Sequence, residues 1–338
     1  MTKNLRKGVG AKMQNSVLVA LLAVVAVSIA DASQLSKSPN YPTGEIESSY
    51  YKQGPWPDVC EVKGVNCGDT YRCDLYYPRN LDAGFQRPVL TWGNGALAKP
   101  DDYEFFLKHM ASWGFVIIAT EDKMTGTGQT MVHAVEFLKE KNDDPDPANV
   151  FYHKLDLGRV GSFGHSEGAS GAINAMIRSP VVKTAVAIEL PAGRACWGFY
   201  PFCTRTSKLT SGSIFLIDGS ADAISPPFQP SWLPAFIFGP QSIEAYYEEA
   251  PNTVEKVKAT LIGPDHNDVQ GQPCCSKNTR KCVNGVFGYL GYPTAWMVYR
   301  LQGDIKAKAA FVRRTEHGRA GEIFSQPANW EYVASNLD

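Results

Sequence analysis

Neither sign of charge dominates this chain of 338 residues. Its 33 lysines and arginines face 34 aspartates and glutamates, so it lacks the basic face with which a nucleic-acid binder neutralises phosphates. Long apolar runs are missing as well: the run Val17 to Ala30 is shorter than the roughly 20 residues needed to span a bilayer. No Cys-x-x-Cys pair occurs among the eight cysteines, which argues against a structural zinc centre. The first cysteine, Cys60, lies far behind the apolar run, so a lipid anchor is not indicated. Internal repeats and low-complexity tracts are absent too.

The same apolar run is preceded by Lys3, Arg6, Lys7 and Lys12 and followed by the small-x-small site Ala30-Asp31-Ala32, so residues 1–32 read as a secretory leader. Without it the chain holds 29 basic and 33 acidic residues, a net charge of about −4. All eight cysteines lie beyond the leader, and an even number behind an export signal favours disulfides. Cys196 with Cys203, and Cys274 or Cys275 with Cys282, are spaced to close local loops. A 44% hydrophobic chain of this length can bury one large core, so residues 33–338 are expected to form a single domain. Residues 33–69 are its N-terminal arm. The stretch from Ser33 to about Trp56 is polar, with Pro39, Pro42, Pro55 and Pro57 in or just beyond it, and is expected to lie extended on the surface.

From there strands and helices alternate. Tyr71–Tyr77 reads as a strand stopped by Pro78, and Pro88–Trp92 as a buried strand opening into Gly93-Asn94-Gly95-Ala96. Tyr103, Phe106, Leu107 and Met110 recur at helical spacing within Pro100–Trp113, before the central strand Phe115–Ala119 and a helix from about Gln129 to Lys141. Thr184–Ile188 and Ser213–Asp218 are further strands, and Val257–Ile262 is the last clear one. Helical segments Pro293–Leu301 and Ile305–Arg313 close the chain. The alternation implies right-handed crossovers: an α/β fold with a mostly parallel central sheet and helices on both faces. Between two strands lies an irregular insert, 192–211, bearing Cys196, Trp197, Phe199, Tyr200, Phe202 and Cys203. It is either an aromatic wall for an apolar substrate or a cap of core aromatics under a long loop.

The chemistry gathers around Val160–Ala172, where a strand runs into Gly164-His165-Ser166-Glu167-Gly168. In such a Gly-x-Ser-x-Gly turn the serine sits at a strained backbone position with its hydroxyl raised above the sheet, and the next residue's N–H faces a developing oxyanion. A serine hydroxyl needs a base, which a neutral imidazole supplies, and a carboxylate that fixes the imidazole's tautomer. His266 combines the right chain order with a loop after a strand, unlike His109 and His133 on predicted helices, His153 before the serine's strand, His165 beside the serine, and His317 beyond the last strand. For the acid, both Asp218 and Asp222 follow a strand; Asp222 sits deeper in its loop and has the reach.

On Pro88–Ala96, Ala111-Ser112-Trp113-Gly114-Phe115, Leu157-Gly158-Arg159-Val160, Asp218–Pro226 and Ala295–Asp304, the chain resembles the secreted polyesterases and cutinase-like α/β-hydrolases, a dienelactone-hydrolase-related group that includes PET hydrolases and chlorophyllase-like enzymes. The resemblance covers most of residues 70–313. It implies an α/β-hydrolase fold, Ser166 as nucleophile, Asp222 as acid, His266 as base, and the N–H groups of Ala96 and Glu167 as an oxyanion hole. Gly95 and Trp197 would touch the substrate, a small or polymeric ester, with no metal or organic cofactor. Family members often carry an aromatic at the Ala96 position and Met or Gln at the Glu167 position, so one aromatic clamp for a polymer ring is missing here. A charged Glu167 facing the site would disfavour acidic substrates and raise the base's proton affinity. The rival readings are a lipase or acetylhydrolase acting on lipid esters and, from another class, a catalytically silent binding protein on the same fold.

Overall fold

The computed structural model describes residues 41–68, 70–82, 84–196, 202–228, 239–271, 285–315 and 318–338. Among the described residues there are nine strands: β1 Val59–Asn66, β2 Arg72–Pro78, β3 Arg87–Gly93, β4 Val116–Thr120, β5 Leu155–His165, β6 Val182–Ile188, β7 Ser213–Gly219, β8 Glu255–Leu261 and β9 Trp330–Ser335. They make one sheet in the order β1-β2-β4-β3-β5-β6-β7-β8-β9. From β4 to β8 every neighbour is parallel, whereas β1, β2 and β9 pair antiparallel at the two edges. Strands β3, β4 and β7 are buried along their whole length, which is why they read as continuous apolar runs rather than alternating ones.

Parallel neighbours need crossovers, and these are helical. The helices are α1 Glu45–Tyr51, α2 Glu104–Ser112, α3 Gln129–Asp143, α4 Glu167–Arg178, α5 Gly193–Cys196, α6 Ile243–Glu249, α7 Gly291–Gln302 and α8 Ile305–Lys308. They divide between the two faces. Phe106 of α2 and Trp296 of α7 pack with Trp92, Phe163 and Phe215 in one core. Leu138 of α3, Ile173 of α4 and Tyr246 of α6 pack with Val160 and Leu216 in the other. The mixed α/β architecture with helices on both faces is as expected.

The chain's ends depart from expectation. Residues 45–51 are not an extended arm: they form α1, which buries Tyr50 and docks on α7. The Tyr50 hydroxyl donates to Asp304 Oδ2 at 2.6 Å, and its ring lies 4.9 Å from that of Trp113. Residues 59–66 form the edge strand β1. At the other end, residues 330–335 add β9 beyond the strand expected to be last, and the helix expected to run from Ile305 to Arg313 stops at Lys308. A tightly bent segment follows, with the Phe311 N–H bonded to Lys308 O at 2.9 Å, and this drives Phe311 into the core.

A disulfide joins Cys67, just after β1, to Cys73 in β2, with a Cα separation of 5.9 Å. This pairing was not among those spacing suggested. The side chain of Cys196, together with Cys274, Cys275 and Cys282, lies outside the described residues, as do residues 1–32, the expected leader. No helix among the described residues is long and apolar enough to cross a membrane.

Candidate active site

At the C-terminal end of β5 the chain turns at Ser166 into α4. Ser166 has φ 54° and ψ −122°, a strained region for a residue with a side chain, and its N–H is fixed to Ile188 O at 2.9 Å. Glycine makes the turn possible. A Cβ on Gly164 would lie 2.2 Å from Gly168 O, and one on Gly168 would lie 2.1 Å from Gly93 O. Helix α4 can therefore press against β5 and β3 only where no side chain intervenes.

Two neighbouring strand ends bring the partners. The loop after β7 carries Asp222 and the loop after β8 carries His266. His266 Nε2 lies 2.7 Å from Ser166 Oγ, and Nδ1 lies 2.7 Å from Asp222 Oδ2. The other Asp222 oxygen accepts the N–H groups of Ile224 at 2.7 Å and Ser225 at 3.1 Å, so the carboxylate is held from behind. Asp218 is elsewhere: it is buried at the strand end with Oδ1 accepting the Thr260 hydroxyl at 2.7 Å, and burial holds its carboxyl well above the usual range. His109 is a core histidine, bonded to Tyr50 O and Thr294 Oγ1 and pushed down to about 4 by burial. His317 lies outside the described residues.

The loop after β3 faces the serine. Asn94 turns inward, donating to Thr120 O and Asp122 O and accepting from Trp92 Nε1, so it shapes the loop rather than meeting a ligand. The Gly95 N–H donates to the Tyr103 hydroxyl at 3.0 Å. Among the described residues the N–H groups of Ala96 and Glu167 have no partner. Gly95, Ala96, Ser166, Glu167 and His266 share one cavity of about 220 Å³, whose remaining wall is mostly apolar: Met124, Pro191, Ala195, Phe202 and Ile224. Phe202 brings part of the 192–211 insert into that wall; Trp197 lies outside the described residues.

Glu167 does not act as a free charge beside the serine. Its Oε1 accepts the Gly126 N–H at 2.5 Å, and burial pushes its carboxyl up to about 8. The side chain is therefore neutral around pH 7 and serves to hold the Thr125–Gly126 turn.

Sequence reasoning did not find the polar network beneath the site. His165 Nδ1 accepts from the Tyr103 hydroxyl at 2.8 Å, while its Nε2 lies 2.6 Å from His266 O and 3.0 Å from Glu189 Oε2. The neutral tautomer with its proton on Nε2 satisfies all three contacts, and burial holds this imidazole well below its ordinary value. Glu189 also accepts the Tyr289 hydroxyl. Gln270 Nε2 donates to the Tyr103 hydroxyl at 2.9 Å. The signal for Glu189 was a charged residue directly after Ala185-Val186-Ala187-Ile188; its partners, far away in sequence, gave none.

Among the described residues two clusters have metal-ligating atoms close together. In His165, Glu189 and His266 every ring nitrogen already has a hydrogen-bond partner, and Glu61, Asp101 and Glu104 are bridged by Lys63 and Lys108. Neither donor set is arranged for a cation. No family model matches the chain.

Proposed function

We propose that this protein is a secreted serine hydrolase of carboxylic esters, built on an α/β-hydrolase fold and similar to the cutinase-like polyesterases. The observation that carries the reading is the unbroken line Ser166 Oγ, His266, Asp222, with both hydrogen bonds at 2.7 Å. In this reading His266 Nε2 takes the Ser166 proton as Oγ attacks the ester carbonyl, and Asp222 holds the Nδ1 proton and stabilises the imidazolium. The N–H groups of Ala96 and Glu167 receive the oxyanion, Glu167 from the positive end of α4. His266 then protonates the leaving alcohol, and water resolves the acyl-enzyme through the same base.

A cavity of about 220 Å³ is small beside the roughly 300–1,000 Å³ of drug-sized sites. Its wall of Met124, Pro191, Ala195, Phe202 and Ile224 favours an apolar acyl group. The disulfide Cys67–Cys73 fits an oxidising compartment.

The test is hydrolysis of p-nitrophenyl esters from acetate to palmitate by the mature protein and by Ser166→Ala. The expected result is a maximum at short chains and a loss of at least ~10³-fold in kcat on substitution. A maximum at palmitate would move the assignment to a lipase. A protein inert to every ester would leave a binding protein, and a fully active Ser166→Ala would overturn Ser166 as the nucleophile.

A further inference from the structure

We infer that Glu189 is a second carboxylate serving His266, a positioning residue that shares the base with Asp222. This rests on the reading of Ser166 and His266 as nucleophile and base. Glu189 follows β6, between the strand that delivers Ser166 and the strand that delivers Asp222. Its backbone is fixed in a left-handed conformation, φ 55°, with its N–H on Ile217 O at 2.6 Å. The side chain is fully buried, and Oε2 lies 3.8 Å from His266 Nδ1 while Asp222 Oδ2 lies 2.7 Å from the same atom. Both carboxylates therefore address one ring nitrogen, Asp222 through a hydrogen bond and Glu189 across a gap of about one ångström more than a bond requires.

The two oxygens accept separately, Oε2 from His165 Nε2 and Oε1 from the Tyr289 hydroxyl, which fixes the carboxyl plane with Oε2 on the side of His266. No lysine or arginine pairs with it among the described residues. Burial, and then the charge of Asp222, hold its carboxyl well above the usual range. The charge that forms beside it is the one on His266 when Ser166 gives up its proton. With Asp222 present and charged, Glu189 is held neutral and contributes orientation, through His165 Nε2 and beside His266 Nδ1, rather than field. With Asp222 removed, a small tilt of the ring brings the Nδ1 proton onto Oε2 and preserves the working tautomer. The only proton transferred in the step remains that of Ser166, which passes from Oγ to His266 Nε2.

The test is a double-mutant cycle of wild type, Glu189→Gln, Asp222→Ala and the pair. It is read as kcat and KM on p-nitrophenyl acetate and as the rate at which a fluorophosphonate labels Ser166, with circular dichroism to show that each variant is folded. Glu189→Gln alone is expected to lower kcat by less than ~10-fold with KM unchanged, and Asp222→Ala by ~10²–10³-fold. In the Asp222→Ala background the loss of Glu189 should cost a further ~10²-fold and bring activity down to that of Ser166→Ala. An equal factor for Glu189→Gln in both backgrounds would make its role structural and overturn the proposal. If Glu189→Gln does not fold, Asp222→Ala decides alone: activity no higher than that of Ser166→Ala overturns the proposal, and activity well above it is the expected result. Folded wild type that neither hydrolyses nor labels would overturn the nucleophile reading itself, whereas active wild type with equal factors removes only Glu189.

Discussion

Glu167 is the residue where charge chemistry and the turn geometry conflict most directly. Unfolded, its carboxyl ionises near its ordinary 4.5; folded, burial holds it neutral up to about 8. The unfolded chain therefore gives up a proton that the native state keeps, so stability falls as pH rises from about 4.5 to about 8 and the loss is complete above that. Each tenfold change in proton affinity corresponds to about 1.4 kcal/mol, so the effect is a few kcal/mol at most. Glu167→Gln removes it, so its urea midpoint should vary less with pH, and its advantage over wild type should be larger at pH 9 than at pH 5. Midpoints that run parallel from pH 4 to 9 would show that the carboxyl is not held neutral. Ser166, Asp222 and His266 were legible in the sequence through the Gly-x-Ser-x-Gly turn and the chain order Ser, Asp, His, each on a loop shortly after a strand, with Asp222 set apart from Asp218 only by its place in its loop. Glu189, Tyr103 and His165 were not legible as a group. They meet only because β5 and β6 lie side by side and the Pro100–Tyr103 turn folds over them, and a buried polar network leaves no periodicity to read.

Among the elements, α4 depends most on a missing atom. Gly168→Ala would set a methyl 2.1 Å from Gly93 O, which is backbone and has no rotamer to escape into. The helix or β3 must move, at a cost of ~2–3 kcal/mol in urea unfolding. A shift of β3 also displaces Gly95 and Ala96, so kcat should fall more than stability alone explains; an active variant with an unchanged urea midpoint would contradict this packing. The central strands and α2, α3 and α7 were readable because burial on both sheet faces writes long apolar runs and helical spacing into the chain. The edge elements were not. Strand β1 is half exposed along its length, with the burden of pairing on one side only. Helix α1 has seven residues, too few for a clear period, and owes its place to Tyr50 and Glu47 finding partners more than 200 residues away.

Across the whole molecule, the two ends of the described chain close on each other. Trp330 Nε1 donates to Glu47 Oε1 at 2.9 Å, and Glu322 accepts the N–H groups of Ile46 and Glu47 at the start of α1. Removing residues 330–338 strips β9 from β8, bares that edge and leaves the buried Glu47 carboxylate without its indole. The truncated chain is expected to aggregate or to lose its cooperative melting transition by circular dichroism. A soluble truncated protein melting within a few degrees of the full chain would show that the closure contributes little.

That closure also has a bearing on timing. A ribosome releases the chain from its N-terminus, yet α1 has nowhere to dock until α7 has emerged, and neither Glu47 nor the β8 edge is satisfied until residues 322–335 follow. During synthesis the nascent protein is therefore held short of its finished shape by its own wiring. A fold whose early helix waits on residues more than 200 positions later stays open through most of its own synthesis.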